Sequence, residues 1–330
     1  MVGIPVVKAE NLTKYFPLSK GFLETLFSRK PSFVHAVDGI NFEIREKEVF
    51  GLAGESGSGK TTTGRLVLKL IEPTSGKLAF KGQDLRNLAD RELKLLRRRM
   101  QIVFQDPYES LNPRMTVADI LAEPLTVQKM AESRAEITQK SREMLEAVEL
   151  TPPDEFLLRY PHELSGGQRQ RVAVARAFIL DPEFIVADEP VSMLDVSIRA
   201  EILNLMLDLV DKFNVSFLYI THDLALARHV CDRLAVMYLG KIVEMGPVEK
   251  IVYEPVHPYT KALIDAVPTP DPTAKRIRTV ISGEIPSPIN PPPGCRFHTR
   301  CPVATDACRS KEPEMLDLGD EHYVACHRQK

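Results

Sequence analysis

Gly54-Glu55-Ser56-Gly57-Ser58-Gly59-Lys60-Thr61, followed by Thr62, is the stretch that decides how this chain folds. It fits the pattern G-x-x-x-x-G-K-S/T. Before it lies Val49-Phe50-Gly51-Leu52-Ala53, a short apolar run of strand length. After it, Leu66, Val67, Leu70 and Ile71 fall at helical spacing, and Pro73 and Gly76 mark the predicted end of that helix. Strand, glycine-rich turn and helix in that order make an anion nest. The glycines let successive backbone N–H groups turn inward. The helix N-terminus adds partial positive charge. Lys60 is placed to reach the β- and γ-phosphates of a nucleotide, and the Thr61 hydroxyl to ligate Mg2+. A plain Gly-Ser turn would need neither residue.

Working outward, Phe184-Ile185-Val186-Ala187-Asp188-Glu189 reads as a strand ending in two acids. Downstream of a phosphate loop, Asp188 is the expected Mg2+ ligand, usually through water. Glu189 is the candidate to polarise an attacking water, which hydrolysis needs besides the phosphate cradle. Taken alone, the pair could be an acidic strand end facing solvent. Val215-Ser216-Phe217-Leu218-Tyr219-Ile220 is another strand, and Ile198, Ile202, Leu205, Met206, Leu209 and Val210 mark one helix face between the two. Strands alternating with helices imply an α/β fold with a parallel sheet. Leu234 to Met245, with Gly240 inside, reads as a hairpin. Residues 4 to 50 read as short antiparallel strands (Val6-Val7, Ile40 to Ile44) around a long surface loop from Gly21 to Ser32. Residues of about 88 to 165 are charged and mainly helical, with breaks expected at Pro107, Pro113, Pro124 and Pro152-Pro153, as in an inserted helical subdomain.

The bulk properties bound the rest. The 330 residues suffice for about two domains. A hydrophobic share of 44% and a charged share of 27% suit a soluble globular protein. A net charge of −2 supplies no global basic field, so no nucleic-acid partner is expected. No apolar run approaches the roughly 18–20 residues that span a bilayer. Met1-Val2-Gly3-Ile4-Pro5 lacks the regions of a signal peptide. The expectation is a cytosolic chain that meets a membrane only through another protein.

Leu164-Ser165-Gly166-Gly167-Gln168, with Arg169-Gln170-Arg171 and an apolar helix behind it, is a narrower signal than the phosphate loop. With the motifs above, in their order, it resembles the nucleotide-binding subunits of ABC transporters over roughly residues 4 to 265. The resemblance implies a P-loop NTPase fold with a mixed central sheet, an antiparallel β subdomain and an inserted helical subdomain. It makes Gln105, in Val103-Phe104-Gln105-Asp106-Pro107, the Q-loop residue that contacts Mg2+ and the water. It makes Leu164 to Gln168 the signature that closes on ATP held by a second subunit. Ser192-Met193-Leu194-Asp195 becomes the D-loop, with Met193 replacing a small residue, and His222 the histidine that senses the γ-phosphate. Tyr15 is placed like the aromatic that stacks on adenine, and Phe16 is the neighbouring alternative. Alone, Gln105 would read as a surface residue, His222 as structural and Tyr15 as a half-buried strand aromatic. Ser165 is also a good helix N-cap, a reading compatible with an anion site.

Four of the five cysteines, Cys295, Cys301, Cys308 and Cys326, lie near the end of the chain, beyond a proline-rich stretch that begins near Pro268. Their spacing matches neither a common zinc ribbon nor a ferredoxin run. Spacing alone leaves metal, cluster and free thiols open. The stretch Pro291-Pro292-Pro293-Gly294-Cys295-Arg296-Phe297-His298, with Arg300-Cys301-Pro302 and Ala325-Cys326-His327, resembles the C-terminal extension of oligopeptide/dipeptide importer ATPases. So do Val37-Asp38 through Glu55-Ser56, and His257-Pro258-Tyr259-Thr260. This resemblance divides the chain into an ATP-binding domain at 1–265, with the helical subdomain at about 88–165, and an extension at 266–330. It implies ATP and Mg2+, and a 4Fe-4S cluster on the four cysteines. It also implies a second ATPase subunit (a copy or a paralogue), two permease subunits and an extracytoplasmic solute-binding protein, with the chain peripheral at the cytoplasmic face of the membrane. The implied work is peptide import. The same subfamily resemblance covers nickel and oligosaccharide transporters, and a soluble ABC ATPase acting on DNA or ribosomes is the remaining class.

Overall fold

The computed structural model describes residues 4–18, 32–267, 281 and 283–329. The loop expected up to Ser32 and the start of the proline-rich stretch therefore fall mostly outside the described residues. The chain divides into two compact units. One comprises Met1–Val6, Ile44–Glu48 and Arg86–Tyr219; the other comprises Val7–Glu43, Val49–Leu85 and Ile220–Lys330.

The second unit carries the phosphate loop. Its four-stranded sheet has the order β2-β1-β4-β5, from β1 (Val7–Pro17), β2 (Phe33–Ile44), β4 (Ser75–Phe80) and β5 (Gln83–Asp84). β1 runs antiparallel to β4 with Val7 opposite Phe80 and Ala9 opposite Leu78, two apolar pairs on one buried face. β1 and β2 are much longer than the short apolar runs suggest, because their exposed polar residues still pair. A second sheet centres on β3 (Val49–Ala53), in which all five residues are buried, as a strand covered on both faces requires. β3 pairs parallel with β9 (Arg233–Tyr238), which pairs antiparallel with β10 (Lys241–Pro247), so this sheet is mixed. The turn at Leu239-Gly240 is the expected hairpin. The C-terminal extension then adds β12 (Tyr323–Val324) along β10 and β11 (Leu316–Asp317) along β12.

Helix α1 (Lys60–Val67) is shorter than its apolar spacing predicts. Lys69 takes the left-handed conformation at φ 53°, while Leu70 N–H donates to Arg65 O and Lys69 N–H to Leu66 O, both at 2.9 Å. That is a Schellman ending. It leaves Leu70 45% exposed rather than buried.

The first unit holds β6 (Met100–Val103), β7 (Phe184–Asp188) and, up to Tyr219, β8 (Ser216–Thr221) in the order β8-β7-β6. β6 and β7 are parallel. The expected helical region contains α2 (Asp90–Arg99), α3 (Pro107–Ser110), α4 (Val117–Val127), α5 (Arg134–Ala147) and α6 (Pro153–Leu157), besides strand β6. Pro124 does not break its segment but lies inside α4. A proline there costs about 3 kcal/mol, which burial of Val117, Ile120, Leu121 and Leu125 offsets at roughly 1.5–3 kcal/mol each. Two further helices, α7 (Gly166–Phe178) and α8 (Val196–Phe213), complete the unit.

Candidate functional site

In the phosphate-loop unit, β3 delivers the chain to Gly54 and α1 takes it up at Lys60. Gly54 has φ +153°, and a Cβ there would lie 2.2 Å from the Met237 carbonyl oxygen. Gly59 has φ +108°, and a Cβ would lie 2.1 Å from the Ala36 carbonyl oxygen. Neither position admits a side chain. Gly57 turns at φ +76° with nothing near it, while Glu55 and Ser56 complete the turn. Gly240 N–H donates to Ser58 O at 2.8 Å, so the hairpin turn underpins the loop. Lys60 is 5% exposed, and its Nζ donates to the carbonyls of Gly54 at 2.8 Å and Glu55 at 3.0 Å. The Ser58 hydroxyl is buried without a hydrogen-bond partner. A buried orphan hydroxyl in this glycine-rich turn fits an anion, which would accept from it. Thr61 and Thr62 lie half-buried on the first turn of α1.

Tyr15, on β1, donates its hydroxyl to Asp38 Oδ1 at 2.7 Å, and its ring packs 4.1 Å from the His35 ring. Burial and then the donation to Asp38 push the Tyr15 hydroxyl up to about 12. For Asp38, burial favours the neutral form. The Tyr15 hydroxyl, Lys241 and Arg296 outweigh it and hold the carboxyl below its ordinary range. Asp38 N–H in turn donates to Gly240 O at 2.9 Å, which joins Tyr15 to the phosphate loop through the hairpin turn. Phe16 is instead 37% exposed with Lys14 Nζ 4.9 Å from its ring centroid. His222 follows β8 directly and is exposed. Asp223 behind it accepts from Ala225 N–H at 2.9 Å and caps α9 (Leu224–Val230).

In the other unit, β7 ends at Asp188, which is 7% exposed. Glu189 follows at φ 47°, a left-handed conformation that costs a glutamate of order 1–3 kcal/mol. Ser192 holds that turn by donating its N–H and its hydroxyl to Glu189 O, each at 3.1 Å. Gln105 Nε2 donates to Glu189 Oε2 at 3.3 Å, so two residues 84 apart in sequence meet. Leu164 is buried and Ser165 begins α7. Ser165 Oγ accepts from Gln168 N–H at 3.3 Å while Gln168 Oε1 accepts from Ser165 N–H at 3.0 Å, a reciprocal cap worth about 1 kcal/mol. A Cβ at Gly167 would lie 2.9 Å from Ile198 Cγ2, so glycine lets α7 approach α8 closely there. Gly166 lies one residue earlier, opposite Leu194, and Asp195 stands exposed at the N-cap position of α8 without a side-chain capping bond.

The cysteines behave differently. Burial raises Cys301, Cys326 and Cys295, the last to about 11, and the neighbouring thiols push the same way. The four therefore share one locality. Among the described residues, no three His, Cys, Asp or Glu side chains are gathered to hold a metal ion. A 4Fe-4S cluster needs four converging thiolates. Cys295, Cys301, Cys308 and Cys326 are not gathered closely enough to form that expected ligand set. Cys231 is buried at the end of α9, as its small size suggests.

Sequence reasoning gave no role to Asp38, Tyr259, Arg296 or Arg300. Asp38 bonds Tyr15, Tyr259 and Arg300 bond Glu55 of the phosphate loop, and Arg296 pairs with Asp38. The only signal was that each lies in a phrase resembling the importer ATPases.

Comparison with known proteins agrees with this geometry. The family model described as "ABC transporter" matches residues 37–192, and that described as "Oligopeptide/dipeptide transporter, C-terminal region" matches 243–308. The oligopeptide transport ATP-binding protein AppF of Bacillus subtilis is 48% identical over 325 residues, 98% of this chain and 97% of its own length. The dimeric structure of the ATP-binding cassette MJ0796 bound to ADP and Pi superposes with a TM-score of 0.64 at 30% identity, covering 73% of this chain and 98% of that one. Among the described residues, no helix is long and apolar enough to cross a membrane. The chain belongs to the ABC transporter ATP-binding proteins, in the branch that carries the oligopeptide/dipeptide transporter C-terminal region.

Proposed function

We propose that this chain is the ATP-hydrolysing subunit that powers import of di- or oligopeptides from the cytoplasmic face of the cell membrane. The observation that carries the engine is the phosphate loop, whose Gly54 and Gly59 admit no Cβ and whose buried Ser58 hydroxyl lacks a partner. The cargo rests on the printed name of AppF and the matching C-terminal region.

Gly54 to Thr62 cradle the phosphates and Tyr15 stacks on adenine. Thr61, Gln105 and Asp188 would hold Mg2+, which would supply neutralisation of phosphate charge. The donor set suits it: one buried carboxylate, a hydroxyl and an amide, oxygen donors for a hard cation. Glu189 orients and deprotonates the attacking water, and the Gln105 amide fixes its carboxylate. His222 contacts the γ-phosphate. Leu164 to Gln168 meet ATP held by a second ATPase subunit, a copy or a paralogue, and Asp195 links the two sites. The γ-phosphate favours the closed pair because it touches both subunits. Its loss returns the pair toward open. Two permease subunits turn that cycle into transport, and an extracytoplasmic solute-binding protein supplies the peptide. The ATP-binding domain spans 1–265, with a helical subdomain at about 88–165 and the extension at 266–330. A 4Fe-4S cluster forms no part of this proposal.

Co-purification from the native membrane, followed by reconstitution into vesicles, tests the reading. Peptide uptake that needs ATP supports it. ATP-driven uptake of nickel or an oligosaccharide with no peptide uptake overturns the cargo and leaves the engine.

A further inference from the structure

We propose that the Cys295–Cys301 turn of the C-terminal region is a positioning element of the phosphate loop, with Arg300 acting on the loop through Glu55. The proposal rests on reading Gly54–Thr62 as the ATP phosphate site.

Glu55 is an odd residue for an anion nest. Its carboxylate stands in the loop that must receive several negative charges, where like charges repel. Arg300 cancels it. Arg300 NH1 donates to Glu55 Oε2 at 2.9 Å and NH2 to Oε1 at 3.4 Å, a two-pronged pair. The two side chains are 9% and 26% exposed, so solvent screens them less than a surface pair. The rest of Glu55 is held as well. Its N–H donates to the Tyr259 hydroxyl at 2.9 Å, and its carbonyl accepts from Lys60 Nζ at 3.0 Å. One residue thus connects the extension to the phosphate-binding lysine.

The turn that presents Arg300 is itself anchored. Phe297 is 1% exposed, with its ring centroid 5.2 Å from that of Tyr238, 5.3 Å from Tyr259 and 5.7 Å from His257. Arg300 N–H donates to Phe297 O at 3.0 Å, and Cys295 N–H to Cys308 O at 2.9 Å. The Arg300 guanidinium lies 5.9 Å from the Tyr238 ring centroid. From the same turn, Arg296 pairs with Asp38, the acceptor of the Tyr15 hydroxyl. The extension therefore grips the loop at Glu55 and β2 at Asp38, whose carboxylate accepts from Tyr15 on β1, all within one unit.

Charge compensation separates this from a merely structural contact. The full chain is titrated with the fluorescent analogue mant-ATP at low salt. Arg300→Gln strands the Glu55 carboxylate beside the phosphates, and the dissociation constant should rise by about five- to tenfold. Glu55→Gln combined with Arg300→Gln should return it to within about twofold of wild type. Glu55→Gln alone, with Arg300 left facing the phosphates, should bind at least as tightly as wild type. Melting curves identify folded variants. If Arg300→Gln does not fold, weaker binding by folded Glu55→Gln overturns the proposal, and equal or tighter binding supports it. Unchanged affinity in folded Arg300→Gln, or a double variant as weak as that single variant, also overturns it. Wild-type protein that fails to bind mant-ATP overturns the ATP reading itself, and the inference with it.

Discussion

The phosphate loop and the cysteine-bearing turn lie in the same unit, yet their own residues dictate very different amounts of their structure. In the loop, two of the glycines are required where they stand. Gly54 and Gly59 have positive φ and a backbone oxygen where a Cβ would be. The sequence pattern is thus a direct record of backbone geometry. The cysteine turn records nothing comparable. Its four thiols share a locality without converging, and what fixes the turn is Phe297 among Tyr238, Tyr259 and His257. Those aromatic partners lie tens of residues upstream. Local backbone rules can be read from a motif, whereas long-range packing cannot.

The sharpest way to break this contrast is Gly59→Ala. The Ala36 carbonyl stands 2.1 Å from the new Cβ, and the backbone is at φ +108°. Strain of order 1–3 kcal/mol in the loop should weaken mant-ATP binding by about ten- to a hundredfold. Affinity within twofold of wild type would show that the loop is not locally determined.

A smaller effect concerns His257, which joins the two regions. Its Nδ1 accepts from Tyr259 N–H at 3.1 Å and caps α11, the Pro258–Asp265 helix that carries the Tyr259 hydroxyl to Glu55; α10 is the preceding Val248–Tyr253. Burial lowers His257 from 6.5 to about 3. The unfolded chain takes up a proton below pH 6.5 while the folded chain stays neutral until about pH 3, so stability falls as pH falls through that window. The expected loss attributable to this residue reaches at most about 2 kcal/mol by pH 5. His257→Asn, which keeps a capping oxygen, should flatten the melting-temperature profile between pH 7 and pH 5. An unaltered slope would place the acid sensitivity elsewhere.

The smallest effect belongs to the cysteines. Cys308→Ser exchanges a buried thiol 3.3 Å from the Thr305 hydroxyl for a group that can keep the contact. Stability should change by about 1 kcal/mol, and mant-ATP affinity by less than twofold. A tenfold loss of affinity would give the cysteines a hold on the loop that their placement does not explain.

Much of the site was legible for the same reason as the loop. Asp188 and Glu189 end an apolar run, and Ser165 and Gln168 cap a helix, so short patterns located them. Helix ends were read less well: Lys69 stopped α1 by a left-handed turn that no proline or glycine announced. Pro124 was overruled by the buried face of α4. The Gln105–Glu189 bond and the Arg300–Glu55 pair join residues 84 and 245 apart, and no local pattern encodes either.

The proposal that this chain hydrolyses ATP with Glu189 polarising the attacking water is the one to test first. Its most direct test is steady-state phosphate release by Glu189→Gln beside mant-ATP binding by the same protein. The expected result is a fall in turnover of about 10²- to 10⁴-fold with binding retained. Turnover at the wild-type rate in that variant would contradict the account.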